Sequence, residues 1–383
     1  MRALKILHVL RAPVGGLFRH VVDLVQGQVA RGHHVGIIAD STTGNARSRE
    51  VFAALAPMLA LGVMLTPIQR PFGPQDLAAG WHVTKRVRRA EPDVIHGHGA
   101  KGGAFARLVP AAKPAIRAYT PHGGSLLLDH ASRTGKAYLA LERILMMRGD
   151  LYLFESAYSA RIFDDKIGQP SGLVRVVHNG VAQPEFSPVA LAPYATDIVF
   201  LGEFRPVKGI ELLIEAIAQL KREDLPLSAT LVGEGPELPA LTAQVERTGL
   251  SGAIRFAPPM PARAAMALGR LMVIPSRAES LPYVVLEAAA AGKPLITTTV
   301  GGIPEIYGPL SNGLVRPGDA RALADAIGNA IRQPDTIAWA TQELRARVAA
   351  AFSVETMVDD VLVGYEQAIR RKPALSRALF APA

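Results

Sequence analysis

The sequence predicts an α/β protein of two parallel-sheet domains. Three observations carry that expectation. Short apolar runs alternate with helical stretches along the chain, and most of the runs end in a glycine-containing turn. The alternation breaks at residues 182–197 (AQPEFSPVALAPYATD), which hold three prolines and little periodicity and read as a linker. At 383 residues the chain is also too long for one typical core, and two domains of roughly 150–200 residues fit it. The expected division is 1–187, 188–353, and a terminal 354–383 made of a helix and a basic tail.

In the first part, KILHVL (5–10) forms a strand that runs into Gly15-Gly16, a helix to Gly32, and a second strand, HVGIIA (34–39). Two adjacent glycines at such a turn let the backbone approach a phosphate or a sugar, although the G-x-G-x-x-G fingerprint is absent. The pattern repeats through helices near 47–60 and 75–90 and strands near 63–67 and 93–96. Another helix follows Gly99 to Gly103, and Ala115 to Thr120 is the next strand. It ends in Pro121-His122-Gly123-Gly124, so His122 sits where open α/β sheets place their ligands. His96 and His98 lie at another strand end, but a metal site needs at least a third ligand. A helix at 134–148 and strands at 150–155 and 174–177 complete this part, ahead of His178-Asn179-Gly180.

The second part restarts at Asp197 with a strand entering Glu203-Phe204-Arg205-Pro206-Val207-Lys208-Gly209, then a helix to about 221. Arg205 and Lys208 between a strand end and a helix make a cationic pocket suited to a diphosphate. The strand at 228–232 enters the turn Gly233-Glu234-Gly235-Pro236. A helix at 237–249, a strand at 254–256 and a helix at 260–269 lead to Leu271–Ile274 and then to PSRAESLPYVVLEAAAAGKP (275–294). Here Glu279 and Glu287 stand eight residues apart, about 80° around one helix. With Glu279 on the loop and Glu287 on the helix of 283–291, both can converge on an anion at the helix N-terminus. Taken alone, the pair also fits a buried helix with a carboxylate at each end. A strand at 294–298, the turn Gly301-Gly302-Ile303-Pro304-Glu305 and helices at 319–332, 336–351 and 354–371 finish the chain.

Composition excludes several classes. No cysteine is present, which removes disulfides, thiolate zinc sites and a cysteine nucleophile. The N-terminal apolar run, Ile6 to Leu10, is too short for a signal peptide, and no run of about 18 apolar residues suits a membrane span. The expectation is a cytoplasmic protein. Residues 1–187 carry 23 Lys+Arg against 13 Asp+Glu, whereas 188–383 carry 19 against 20. That asymmetry, with the cluster at Lys85 to Arg89, points to an anionic partner of the first part such as a phospholipid surface or a phosphate-bearing acceptor. Zinc-finger spacing and aromatic-basic interleaving are absent, and nucleic acid is not expected.

Together these stretches resemble the retaining nucleotide-sugar glycosyltransferases of GT-B architecture, in particular family 4, over nearly the whole chain. The resemblance rests on Gly15-Gly16 with His20, on Asp93 to His96, on Thr120 to Gly123, and on Asn179-Gly180-Val181. In the second part it rests on Gly202 to Gly209, Pro275 to Pro294, and Gly301 to Glu305. It implies two Rossmann-like domains facing each other across a cleft, with the last helix crossing back to the first. It further implies that Arg205 and Lys208 neutralise the diphosphate and that Glu287 binds ribose hydroxyls. Glu279 would hold the donor sugar, with backbone N–H groups near Ser280 and Leu281, the Glu234 turn and Gly15-Gly16 completing the donor site. His122 would meet the sugar near the reacting carbon, which makes His122, Glu279, Arg205 and Lys208 the catalytic set. No metal or other cofactor is implied, and no D-x-D occurs. The acceptor would be a saccharide or a lipid-linked saccharide of cell-surface polysaccharide biosynthesis, met by a protein peripheral on the inner face of the membrane.

Ser280-Leu281-Pro282 departs from the Gly-Phe-Gly frequent in the family, and Pro282 removes one backbone donor. Two alternatives stand beside transfer: a nucleotide-sugar 2-epimerase of the same architecture, and an NAD-dependent oxidoreductase on paired Rossmann domains.

Overall fold

A computed structural model describes residues 2–70, 73–123 and 132–372. The chain divides into two compact units, one of residues 1–179 with 354–383 and one of residues 180–353.

In the first unit, strands β1 (Lys5–Leu10), β2 (His34–Asp40), β3 (Gly62–Thr66), β4 (Val94–His98), β5 (Ile116–Thr120), β6 (Leu151–Phe154) and β7 (Leu173–Val176) form one sheet. Its order is β3-β2-β1-β4-β5-β6-β7, with every pairing parallel. The connecting helices are α1 (Gly15–Ala30), α2 (Ala46–Leu55), α3 (Gln75–Ala90), α4 (Gly99–Leu108), α5 (Arg133–Met146) and α6 (Ala157–Lys166). Parallel strands buried on both faces require apolar runs, and β1 from Ile6 to Leu10 is fully buried. Strand order reverses between β1 and β4, which opens a crevice at their C-terminal ends.

The second unit holds β8 (Thr196–Leu201), α7 (Ile210–Arg222), β9 (Ala229–Val232), α8 (Leu238–Arg247), β10 (Ile254–Ala257), α9 (Ala262–Met266) and β11 (Gly269–Ile274). It continues through α10 (Tyr283–Ala290), β12 (Leu295–Thr297), α11 (Ile303–Tyr307), α12 (Ala320–Arg332) and α13 (Pro334–Ala351). The sheet is parallel, in the order β10-β9-β8-β11-β12, and reverses between β8 and β11. One core of apolar side chains from β8, β9, β11, α7 and α10 fills it.

The last helix, α14 (Val354–Arg370), belongs to the first unit. Its stripe of Met357, Val358, Val361, Leu362, Tyr365, Ala368 and Ile369 packs on Leu4, Ile6, Leu24, Val94, Ile116 and Leu151. The spacing of three and four residues makes that stripe one helix face.

The structure moves the expected boundary at 187 back to 179. Val181 N–H donates to Phe352 O and Phe186 O accepts from Arg345, so residues 180–187 are tied into the second unit. The expected linker at 182–197 is likewise short, because 183–186 form a single 3-10 turn and β8 already begins at Thr196. Two helices are not evident from the sequence pattern: α6, which Ser156 caps by accepting from Ser159 N–H, and the five-residue α11. Gly124 and the basic tail from residue 373 onward lie outside the described residues. Among the described residues no helix is long and apolar enough to cross a membrane.

Candidate active site

In the second unit, four strand-end turns lock together at the crevice between β8 and β11. Gly209, between Lys208 and α7, adopts φ +64°, and a Cβ there would overlap the Pro275 carbonyl oxygen. Only glycine permits both the left-handed backbone and that approach. Arg277 N–H donates to Val207 O at 2.8 Å, which clasps the turn after β8 to the loop after β11. The turn after β9 joins them, since Phe204 N–H donates to Glu234 O at 2.8 Å. From the other side, Gly301 (φ +61°) packs so tightly that a Cβ would overlap the Glu279 carbonyl, and Gly302 N–H donates to Ser280 O.

This clasp holds Lys208 against Glu279. Lys208 Nζ donates to Glu279 Oε1 at 2.6 Å, and Ser276 Oγ donates to the same oxygen at 2.7 Å. Glu279 is 8% exposed, and its Oε2 meets no partner among the described residues. One carboxylate oxygen is therefore anchored and the other is left as an acceptor. Glu279 lies on the loop and Glu287 on α10, as convergence on one ligand requires. Arg205 is on the Lys208 turn, half-exposed, with Nη1 3.6 Å from Glu203. Glu234 is exposed at the end of β9, and Glu287 is half-buried. Leu281 sends its side chain into the core.

In the first unit, the crevice end gathers histidines. Parallel register sets His8 on β1 beside His96 on β4, and His98 beside Thr120. His122 follows β5 with φ +55°, an uncommon backbone for a residue with a Cβ. His20 projects from α1, whose N-terminal Gly15 and Gly16 are exposed. His8 Nδ1 lies 2.9 Å from His98 Nε2, and His98 Nδ1 lies 3.1 Å from His122 Nε2. His8 Nε2 meets Gln28 Oε1 at 2.9 Å, and His20 Nδ1 meets Asn179 Oδ1 at 2.9 Å. His96 sits between Tyr365 OH at 2.7 Å and Thr120 Oγ1 at 2.8 Å. Burial pushes His8 and His20 down to about 4 and holds His96, His98 and His122 well below the ordinary range. All five rings are neutral at pH 7 and can serve one another as donor and acceptor.

The His96–His98 pair lacked a third ligand in the sequence, and the fold supplies neighbours. One nitrogen each from His20, His98 and His122, and likewise from His8, His96 and His98, lie within 4.8 Å of one another. Nothing local in the sequence links His8, Gln28 or Tyr365 to His122. Their signal is polar residues on otherwise apolar elements, which means nothing until strand order is known.

Comparison with known proteins bears on the family and the fold. Residues 14–182 match the model "Glycosyltransferase Family 4", and residues 195–333 match "Glycosyl transferases group 1". A D-inositol 3-phosphate glycosyltransferase of Mycobacterium avium is 32% identical over 211 residues, covering 51% of this chain and 50% of that protein. The match thus spans about half the length of that relative. A glycogen synthase of Mycobacterium tuberculosis is 25% identical over 90% of this chain and 89% of its own. Among solved structures, sucrose-phosphate synthase from Thermosynechococcus elongatus superposes with a TM-score of 0.79 at 21% identity, covering 96% of this chain and all of that one. Anabaena HepE, solved with UDP and glucose, superposes with a TM-score of 0.76 at 22% identity over 95% of this chain and all of its own. These two structures share the GT-B fold with the present one. With both halves of the chain matched in order, the protein belongs to the group 1, family 4 glycosyltransferases.

Proposed function

We propose that this protein is a retaining, metal-independent transferase that moves a sugar from a nucleoside-diphosphate sugar to an acceptor hydroxyl. The observation that carries the reading is the Lys208–Glu279 pair at the β8/β11 crevice, with Glu279 Oε2 left to accept. Departure of a nucleoside diphosphate develops negative charge on the β-phosphate, which preorganised cations stabilise. Lys208 and Arg205 supply those cations, so no step needs a metal ion. The backbone at Ser280 and Leu281, leading into α10, adds N–H groups to the phosphate cradle. Glu279 takes a sugar hydroxyl through Oε2, Glu287 takes the ribose hydroxyls, and the Glu234 turn lines the donor site. From the first unit, Gly15-Gly16 and His122 are assigned to the donor and to the sugar near its reacting carbon. Retention requires the acceptor to enter on the face the leaving group departs, without a covalent carboxylate intermediate. UDP-glucose bound to HepE supports a nucleotide-sugar donor.

For the acceptor we propose a saccharide or lipid-linked saccharide of cell-surface polysaccharide biosynthesis, met by a cytoplasmic protein at the membrane face. Helix α3 favours this reading. Leu77 (79% exposed), Trp81 (61% exposed) and Lys85 recur every four residues, with Lys85 Nζ 5.3 Å from the Trp81 ring centroid. Apolar and aromatic side chains beside a cation suit a phospholipid interface.

A panel of UDP-, GDP- and ADP-sugars tests the reading. One of them at large excess should stabilise the protein by about 2–4 kcal/mol. Transfer should then give a product with the donor's anomeric configuration in the presence of EDTA. An inverted product, loss of activity with chelator, or conversion of the nucleotide sugar without acceptor overturns it.

A further inference from the structure

We propose that His98, His8 and Gln28 are positioning residues that hold His122 in one tautomer, protonated on Nε2, with Nδ1 as the acceptor for a substrate hydroxyl. This rests on the reading of His122 as the substrate-facing residue and adds what that residue can recognise.

The assignment follows link by link from the buried end. Gln28 Oε1 can only accept, so the His8 nitrogen 2.9 Å away, Nε2, carries a hydrogen. A neutral imidazole has one N–H, which leaves His8 Nδ1 bare. His98 Nε2, 2.9 Å from it, must then be the donor, and His98 Nδ1 is bare in turn. His122 Nε2 lies 3.1 Å from that nitrogen and donates to it. The lone pair therefore emerges at His122 Nδ1, which meets no partner among the described residues.

All three links share one polarity, and the order is built into the core. His8 and Gln28 are 0% exposed and His98 is 1% exposed, so water does not compete for these bonds. The Tyr365 hydroxyl of α14 bonds to His96 Nδ1, and Gln28 Nε2 is buried with no hydrogen-bond partner among the described residues. Turning the Gln28 amide over would reverse all three bonds at once and make His122 Nδ1 a donor.

The polarity selects a chemical class. A bare Nδ1 accepts from a sugar hydroxyl. A carboxylate, an acetamido carbonyl or a phosphate oxygen at the same point would meet it lone pair to lone pair. The chain should therefore take a neutral hydroxyl at the atom facing His122.

Two-bond 1H–15N correlation on the full-length protein with 15N-labelled histidine reads the tautomers directly. The His122 signal, assigned by its loss in His122→Gln, should show Nε2 protonated and Nδ1 bare. A protonated Nδ1 in the wild type overturns the proposal. Gln28→Met, close in shape but without the acceptor, should give a mixture of His122 tautomers. Turnover should fall about tenfold with donor KM nearly unchanged, the loss of one oriented hydrogen bond. An unchanged spectrum and turnover in Gln28→Met would also overturn it. Wild-type turnover in His122→Ala overturns the substrate role of His122 instead, and the spectrum separates that failure from the other.

Discussion

At the C-terminal strand ends of the first unit, five neutral histidines, four of them buried and His122 partly so, bond to one another and to amide and hydroxyl groups. The same edge of the second unit holds an ion pair, Lys208–Glu279, with Arg205 on the adjoining turn. Both edges close a parallel sheet at a reversal of strand order, so topology alone does not set their chemistry. All ten histidines of the chain precede residue 179, and residues 180–353 contain none. The contrast is chemical: one unit gathers neutral hydrogen-bonding rings, and the other sets cations beside a carboxylate.

Acid is the strongest way to break that contrast. The folded pKa values of His8 and His20, about 4, lie below the ordinary 6.5, so this contribution to stability is full above pH 6.5 and is lost as pH falls to about 4. Each of these two residues should withdraw about 3 kcal/mol over that window. Hydrogen exchange at pH 4.5 should show β1, β4 and β5 losing protection while β8, β9 and β11 keep theirs. Simultaneous loss in both units would mean that the histidines do not set acid stability.

Removing the cation of the second edge comes next. Lys208→Ala should lower kcat/KM on the order of 10²- to 10³-fold, the scale of one lost charge-stabilising group. The 15N spectrum of the first unit's histidines should stay unchanged. A drop of less than about fivefold would take Lys208 out of the diphosphate role.

Gly301→Ala tests the clasp behind Glu279. Its left-handed φ and the overlap with the Glu279 carbonyl should cost about 2–3 kcal/mol and weaken nucleotide-sugar binding. Wild-type thermal stability with full donor affinity would show that the loop relaxes freely. The smallest effect is at the surface. Replacing Lys85 and Arg89 by Gln should weaken binding to anionic vesicles by about 1 kcal/mol per residue, and salt should weaken the wild type likewise. Vesicle sedimentation that responds to neither change would remove α3 from any membrane contact.

Much of this was legible in the residues. Strands, helices and the glycine turns follow from local patterns, and Glu279 fell on the loop because Pro282 and the Ala-rich run place the helix start at Tyr283. Boundaries were less legible. Residues 182–197 look like a linker because three prolines suppress periodicity, yet a hydrogen bond from Arg345, far along the chain, to Phe186 O ties the start of that stretch into the second unit. Helix α6 is hidden in the sequence because its apolar face is short and its charges obscure the period.

What the sequence determined by itself is therefore the α/β alternation, the order of the strand-end turns, and the cations and carboxylates that those turns carry. Those signals are local, since propensity, capping and turn chemistry act over a few residues. Only the tertiary structure decided which oxygen of Glu279 stays available, where α14 packs, and that His8 and His98, 90 residues apart, bond to each other. Such contacts depend on which strands become neighbours in the sheet. That choice is made by the packing of whole apolar faces, and no short stretch of the chain contains it.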